Sequence, residues 1–227
     1  MMSLSAETLD SPVRRSRVVA LAHPLVKHHL THLRNATTPS AEFRMLIQRL
    51  SVFLAYEATK DLPIETRQVR TPLAETIGHA ICEKIALVPI LRAGLGMVDP
   101  ILNLIPEAQV WHLGIYRDEV TLQPVEYYSK LPPNRPVDTA LVLDPMLATG
   151  GSVLAALGAL QAWGVSTIKV LSIIASRPGV QEVEHRYPEA YLYVAAIDPE
   201  LNSHKFIVPG LGDAGDRTFN TSGERPI

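Results

Sequence analysis

Asp144 stands directly after a short apolar run, residues 139–143, and directly before Pro145-Met146-Leu147-Ala148-Thr149-Gly150-Gly151-Ser152. Gly150 and Gly151 allow a sharp turn and a close backbone approach to a ligand. Successive N–H groups opening a helix, with the hydroxyls of Thr149 and Ser152, form a nest for a phosphate dianion. A carboxylate at the strand's end, Asp144, accepts hydrogen bonds from a sugar diol. Together these residues point to a ribose 5-phosphate. The plainer alternative is an ordinary strand-to-helix turn of small residues. No Lys follows the glycines, so this is not a Walker A loop.

Two arginines come next. Arg92 lies in Leu91-Arg92-Ala93-Gly94-Leu95-Gly96, where small neighbours let a guanidinium fork reach a diphosphate, although a structural ion pair suits it equally. Arg117, at a strand end and followed by acids, reads on its own as a surface ion pair. Near the C-terminus, Gly210, Gly212 and Gly215 make a formal G-x-G-x-x-G. A dinucleotide fingerprint needs a following helix, a second strand and an acid about 20 residues on. Only twelve residues follow Gly215, and no helix is expected among them. Such a backbone can instead offer alternating N–H and C=O groups to the edge of a flat base; a surface loop is the alternative.

The elements that must position these groups alternate. Strands are expected at 86–90, 110–116, 139–143, 168–175 and 191–196, with helices after the glycines at 94–96, over 153–163 and over 180–187. This predicts an α/β fold with a mostly parallel central sheet of about five strands flanked by helices. Ligands in such sheets sit beyond the carboxyl ends of the strands, where Arg92, Arg117, Asp144 and Asp198 all fall. Ser40 is expected to cap a long helix with Phe43, Leu46, Ile47, Leu50, Phe53 and Leu54 on one face. Thr71-Pro72 is expected to open a second helix carrying Leu73, Ile77 and Ile81. Residues 118–137, rich in prolines and charges and including Lys130, read as a flap or hairpin. Residues 1–16 read as a flexible tail, and 17–227 as a single domain.

The chain has 227 residues, is 47% hydrophobic and carries a formal charge of −2, so nothing favours nucleic acid or an anionic membrane as the main partner. An anionic ligand must be met by a local site. The single cysteine, Cys82, excludes an internal disulfide, and its apolar surroundings predict a buried, inert thiol. His23, His28, His29 and His32 have no carboxylate or cysteine cluster to join, so a surface or interface helix is expected rather than a metal site. The absence of a signal-like core and of any bilayer-length apolar run makes a cytoplasmic protein the expectation.

The nonamer from Asp144 to Ser152 resembles the phosphoribosyl diphosphate loop of the type I phosphoribosyltransferases. Most of that class places two acids before the loop; here Pro145 replaces the second, a form similar to the uracil phosphoribosyltransferases. Leu91-Arg92-Ala93-Gly94-Leu95-Gly96-Met97 resembles the diphosphate loop of that family, and IVPGLGDAGDRTFNT its uracil-binding segment. HPLVKH resembles its N-terminal arm, and the likeness spans residues 23–221.

The resemblance implies the type I phosphoribosyltransferase fold with an N-terminal arm, a flap at 118–137 and a base-binding hood at 198–222. It implies transfer of a phosphoribosyl group from 5-phosphoribosyl 1-diphosphate to uracil, giving UMP and diphosphate, a pyrimidine salvage step. Carried across, Arg92, Arg117, Asp144, Pro145, Met146, Leu147, Ala148, Thr149, Gly150, Gly151, Ser152 and Asp213 bind the phosphoribosyl diphosphate. Ile207, Gly212, Asp213 and Ala214 hold uracil, and Arg92, Asp144 and Asp213 are the catalytic candidates. Mg²⁺ is expected to be held mainly by substrate, with no direct protein ligand. The family likeness also brings GTP as an effector of some members and a homodimer or higher homo-oligomer.

Overall fold

The computed structural model describes residues 17–117, 124–129 and 136–221. The expected tail at 1–16, and Lys130 with much of the flap, lie outside the described residues.

Strand β1 (Val18–Ala20) leads into helix α1 (Pro24–Arg34), with His23 as its N-cap and Pro24 in the first turn, where a missing N–H costs nothing. Helix α2 (Ser40–Ala58) follows and buries Phe43, Leu46, Ile47, Leu50 and Leu54, the expected stripe, apart from half-buried Phe53. Ser40 is not its cap: Pro39 takes that position and the Ser40 hydroxyl bonds Asn220 Oδ1 at 3.1 Å. Strands β2 (Ile64–Arg70) and β3 (Glu75–Ile81) form an antiparallel hairpin where a second helix is expected. The spacing of Ile77 and Ile81 is even, so it satisfies one face of a strand as well as a helix. Thr71 decides the matter by accepting at its hydroxyl from the N–H groups of Leu73 and Ala74, closing a turn with Pro72 inside it. Cys82, just past β3, is exposed rather than buried.

Strand β4 (Ile85–Pro89) runs into a 3₁₀ turn (Ala93–Met97) and helix α3 (Val98–Leu104). The single strand expected over 110–116 is divided. Strand β5 (Gln109–Val110) closes the central sheet, while β6 (Leu113–Arg117) turns away to pair with β7 (Pro124–Ser129). Strand β8 (Thr139–Leu143), the two-residue β9 (Met146–Leu147) and helix α4 (Gly151–Trp163) form the central unit. Strand β10 (Thr167–Ser176), helix α5 (Arg177–Arg186) and β11 (Tyr191–Asp198) complete the alternation. A short ladder of β12 (Glu200–Leu201) with β13 (Ile207–Val208) and helix α6 (Ala214–Phe219) finish the described chain. Helix α6 lies where no helix is expected; Asp213 caps it by accepting from Asp216 N–H at 2.9 Å.

Central strands lie in the order β1-β11-β10-β8-β4-β5, all parallel, and β9 beside β10 makes seven strands rather than about five. Period-two alternation sorts the layers. Leu87, Leu141, Leu143 and Leu171 face α1, α2 and α3, whereas Val88, Val142, Val170 and Val194 face α4 and α5. Sheets covered on both faces are built from such near-continuous apolar strands. Lys169 is the charged exception in β10, and its Nζ donates to the Ala58 carbonyl at the end of α2 and to Asp61.

Candidate functional site

The loop after β8 is a strand extension before it is a turn. Asp144 N–H donates to Leu171 O at 3.2 Å, Ile174 N–H to Pro145 O at 3.1 Å, and Met146 and Leu147 then pair with Ile174 and Ala175 of β10. The backbone turns at Gly150, whose φ of 85° is a left-handed conformation suited to glycine. No side chain caps α4 there, so its first N–H groups have no intrahelical partner. A cavity of about 580 Å³ adjoins it, with Thr149, Gly151, Glu182, Arg186 and Lys205 among its walls.

The loop is gripped from behind. Ser176 Oγ donates to Ala148 O at 2.5 Å and accepts from Gly179 N–H at 2.9 Å. A Cβ on Gly179 would sit 2.2 Å from Ala148 O, so only glycine lets α5 approach this closely. Asp144 lies at the base of the loop with part of its surface still open. Burial pushes its carboxyl up to about 7, against the opposing effect of the Met146 N–H that donates to Oδ1.

Arg92 opens the 3₁₀ turn. Gly94 behind it packs against the end of β8, where a Cβ would lie 2.3 Å from Leu143 O. The Arg92 guanidinium pairs with Asp216 at 3.0 Å and lies 5.8 Å over the Phe219 ring. Gly215 passes close by, its position for a Cβ 3.2 Å from Asp213 Oδ1 and 3.7 Å from the guanidinium. The two sequence motifs carrying Arg92 and Asp213 thus meet. Arg117 ends β6 opposite Pro124, on a hairpin that lies against α4.

The C-terminal segment turns at Gly210 and Gly212, with φ of 61° and 79°. Ile207 and Ala214 are buried among core residues, while Gly212 is half-buried and Asp213 exposed. The Ala214 side chain therefore belongs to the core, leaving its backbone as the group available to a base. Asp198 is not a free ligand at a strand end. Its carboxylate is paired with Arg34 at 2.6 and 2.8 Å and accepts from Gly210 N–H at 3.0 Å. Sequence reading missed Arg34, Ser176, Gly179 and Arg217, of which only Ser176, three residues before Gly179 and just ahead of Pro178, carried a helix-cap signal. An apolar groove of about 540 Å³ between β1 and α2 shares no residue with these loops.

The architecture and its strand-end loops define an open, parallel α/β domain of the phosphoribosyltransferase type. The chain belongs to the uracil phosphoribosyltransferase family, whose model matches residues 20–221. It is 60% identical over 206 residues to the uracil phosphoribosyltransferase of Roseiflexus sp. strain RS-1, covering 91% of this chain and 99% of that one. It is 52% identical over 207 residues to that of Symbiobacterium thermophilum, covering 91% and 99%. Among solved structures, the AQ2163 protein from Aquifex aeolicus matches with a TM-score of 0.85 at 38% identity, over 90% of this chain and 99% of that one.

Proposed function

We infer that the protein transfers a phosphoribosyl group from 5-phosphoribosyl 1-diphosphate to N1 of uracil, giving UMP and diphosphate. The observation that carries this reading is the meeting of Arg92, Asp213 and Asp216 beside the strand end that bears Asp144. The family relatives bear the matching name. In this reading the amides of 149–152 bind the 5-phosphate and Asp144 accepts from the ribose hydroxyls. Pro145, Met146, Leu147 and Ala148 shape the loop between them. Arg92 and Arg117 meet the diphosphate.

As the C1′–O bond to diphosphate breaks, its electron pair leaves with the diphosphate, and Arg92 meets the growing negative charge. Uracil N1 attacks from the opposite face of the ring, guided by the backbone of Ile207, Gly212, Asp213 and Ala214, and its N1 proton passes to the Asp213 carboxylate. Holding both reactants in line supplies much of the rate. Uracil presents acceptor, donor, acceptor along O2, N3–H and O4; cytosine reverses the last two and would leave buried groups unpaired.

Among the described residues no cluster of three His, Cys, Asp or Glu side chains forms a metal cage. Asp144, Asp213 and Asp216 are the carboxylates at the candidate site, and Mg²⁺ would be held mainly by substrate oxygens with these carboxylates nearby. When bound, Mg²⁺ would neutralise charge on the leaving diphosphate. We also read the protein as a homo-oligomer, because the β2–β3 hairpin leaves Ile64, Leu73 and Ile77 exposed at 61%, 97% and 69%. Among the described residues no helix is long and apolar enough to cross a membrane, which fits a cytoplasmic location. The test is UMP formation from uracil and 5-phosphoribosyl 1-diphosphate with Mg²⁺. Turnover supports the reading, and phosphoribosyl diphosphate binding without turnover would overturn it.

A further inference from the structure

The segment read as the base site has little secondary structure of its own. The β12–β13 ladder is two residues per strand and α6 only six residues, so neither fixes the loop between them. Its position comes from outside. Arg34, the last residue of α1, places one guanidinium nitrogen 2.7 Å from Gly210 O and both on the Asp198 carboxylate. Asp198 in turn accepts from Gly210 N–H, so both backbone groups of Gly210 are taken by this one ion pair. Arg217 reaches the other way. From α6 it donates to Leu33 O at 3.0 Å and Asn35 O at 2.6 Å at the end of α1, and to Leu211 O at 2.7 Å. Its guanidinium lies 4.3 Å over the Phe43 ring. Two arginines thus clasp the end of α1 to the C-terminal loop from opposite sides.

We propose that Arg34 is a positioning residue for base recognition: through Asp198 and Gly210 it fixes the backbone register that the 207–214 segment presents to the pyrimidine. The inference rests on reading that segment as the base site. Arg34 touches no substrate in this account. Backbone readout of a flat base depends on register, because a small shift puts a donor against a donor. A guanidinium is suited to the task, since its planar fork meets a carboxylate and a carbonyl together, whereas a lysine ammonium cannot reproduce that fork.

The test measures steady-state kinetics for wild type, Arg34→Lys, Arg34→Gln and the Arg34→Gln/Asp198→Asn double variant, with folding checked by circular dichroism. Amide hydrogen exchange of wild type with and without UMP accompanies it. Arg34→Gln is expected to raise KM for uracil about tenfold or more and narrow the preference for uracil over cytosine. KM for phosphoribosyl diphosphate should rise less than KM for uracil, because the 144–152 loop is anchored separately by Ser176 and only Asp213 of its contacts lies in the shifted segment. The double variant should recover part of the uracil KM, since the carboxamide that Asp198→Asn introduces can still accept from Gly210 N–H without a buried unpaired charge. If Arg34→Gln fails to fold, Arg34→Lys carries the same comparison. Protection of 207–214 by UMP with an unchanged uracil KM in folded Arg34→Lys, or an equal rise in both KM values, would overturn the positioning role alone. No protection of that segment by UMP would overturn the base-site reading and this inference with it.

Discussion

Ser176 and Asp198 are register partners on the adjacent parallel strands β10 and β11, and each grips a different loop of the candidate site. Ser176 holds the Ala148 carbonyl of the phosphate-type loop, and Asp198 holds the Gly210 amide of the C-terminal segment. The two loops therefore hang from one rung at the carboxyl edge of the sheet. Side chains at such a rung transmit the rigidity of a fully buried sheet to loops with few contacts of their own.

Separate anchors predict separable defects. Ser176→Ala removes a hydroxyl that donates to Ala148 O and accepts from Gly179 N–H, leaving buried partners unsatisfied at a cost of about 1–3 kcal/mol. KM for phosphoribosyl diphosphate should rise several-fold while KM for uracil holds, and Tm should fall by about 2–4 °C per kcal/mol lost. Initial-rate kinetics varying each substrate in turn, with a thermal melt, checks this.

Gly179→Ala should be harsher. Its Cβ would lie 2.2 Å from Ala148 O and 2.5 Å from Leu147 Cδ2, so α5 or the loop must move. Overpacking of this kind costs about 1–3 kcal/mol, and here the strain falls on the phosphate-type loop. Titration calorimetry should show at least about tenfold weaker binding of phosphoribosyl diphosphate. Wild-type affinity in this variant would detach Gly179 from loop placement.

Asp144 predicts a pH dependence of definite sign. Its carboxyl is pushed from an ordinary 3.8 to about 7, so the folded protein holds the proton more tightly than the unfolded chain between those values. Its contribution to stability is thus greatest below about 4, falls as pH rises to about 7, and stays low above that. Asp144→Asn should therefore stabilise the ligand-free protein above about pH 7, by about 1–4 kcal/mol, and make little difference at the acid end. Ribose hydroxyls favour the ionised carboxylate, so wild-type affinity for phosphoribosyl diphosphate should drop by up to about tenfold per pH unit below 7, a slope the Asn variant lacks. Paired melts and binding curves on both sides of that titration check both signs.

The exposed hairpin predicts assembly. Leu73→Glu with Ile77→Glu places two charges on its apolar residues without touching the sheet core. Light scattering after size exclusion should show a smaller species than wild type; an unchanged mass would place the contact elsewhere.

Much of this was legible because it is periodic. The buried strands at 85–89, 139–143 and 167–176 are apolar on both faces, and the α2 stripe and the Gly164 C-cap, at φ 93°, follow local rules. The hairpin at 64–81 was not legible, because an even spacing of isoleucines serves two periods and a threonine hydroxyl settles the turn. Asp198 looked like a ligand from its strand-end position, but its partner Arg34 is 164 residues away in sequence. No local pattern carries a contact of that range. Residues proposed to touch a ligand left motifs; residues that hold those motifs in place mostly did not.

In the reading proposed for the site, the amides opening α4 bind the sugar's phosphate while the 207–214 backbone reads the base. A crystal structure with UMP tests it most directly. The expected result is phosphate oxygens within hydrogen-bond distance of the 149–152 amides, ribose hydroxyls on Asp144, and the uracil edge along 207–214. UMP bound in the groove between β1 and α2, or with its base turned away from that segment, would contradict it.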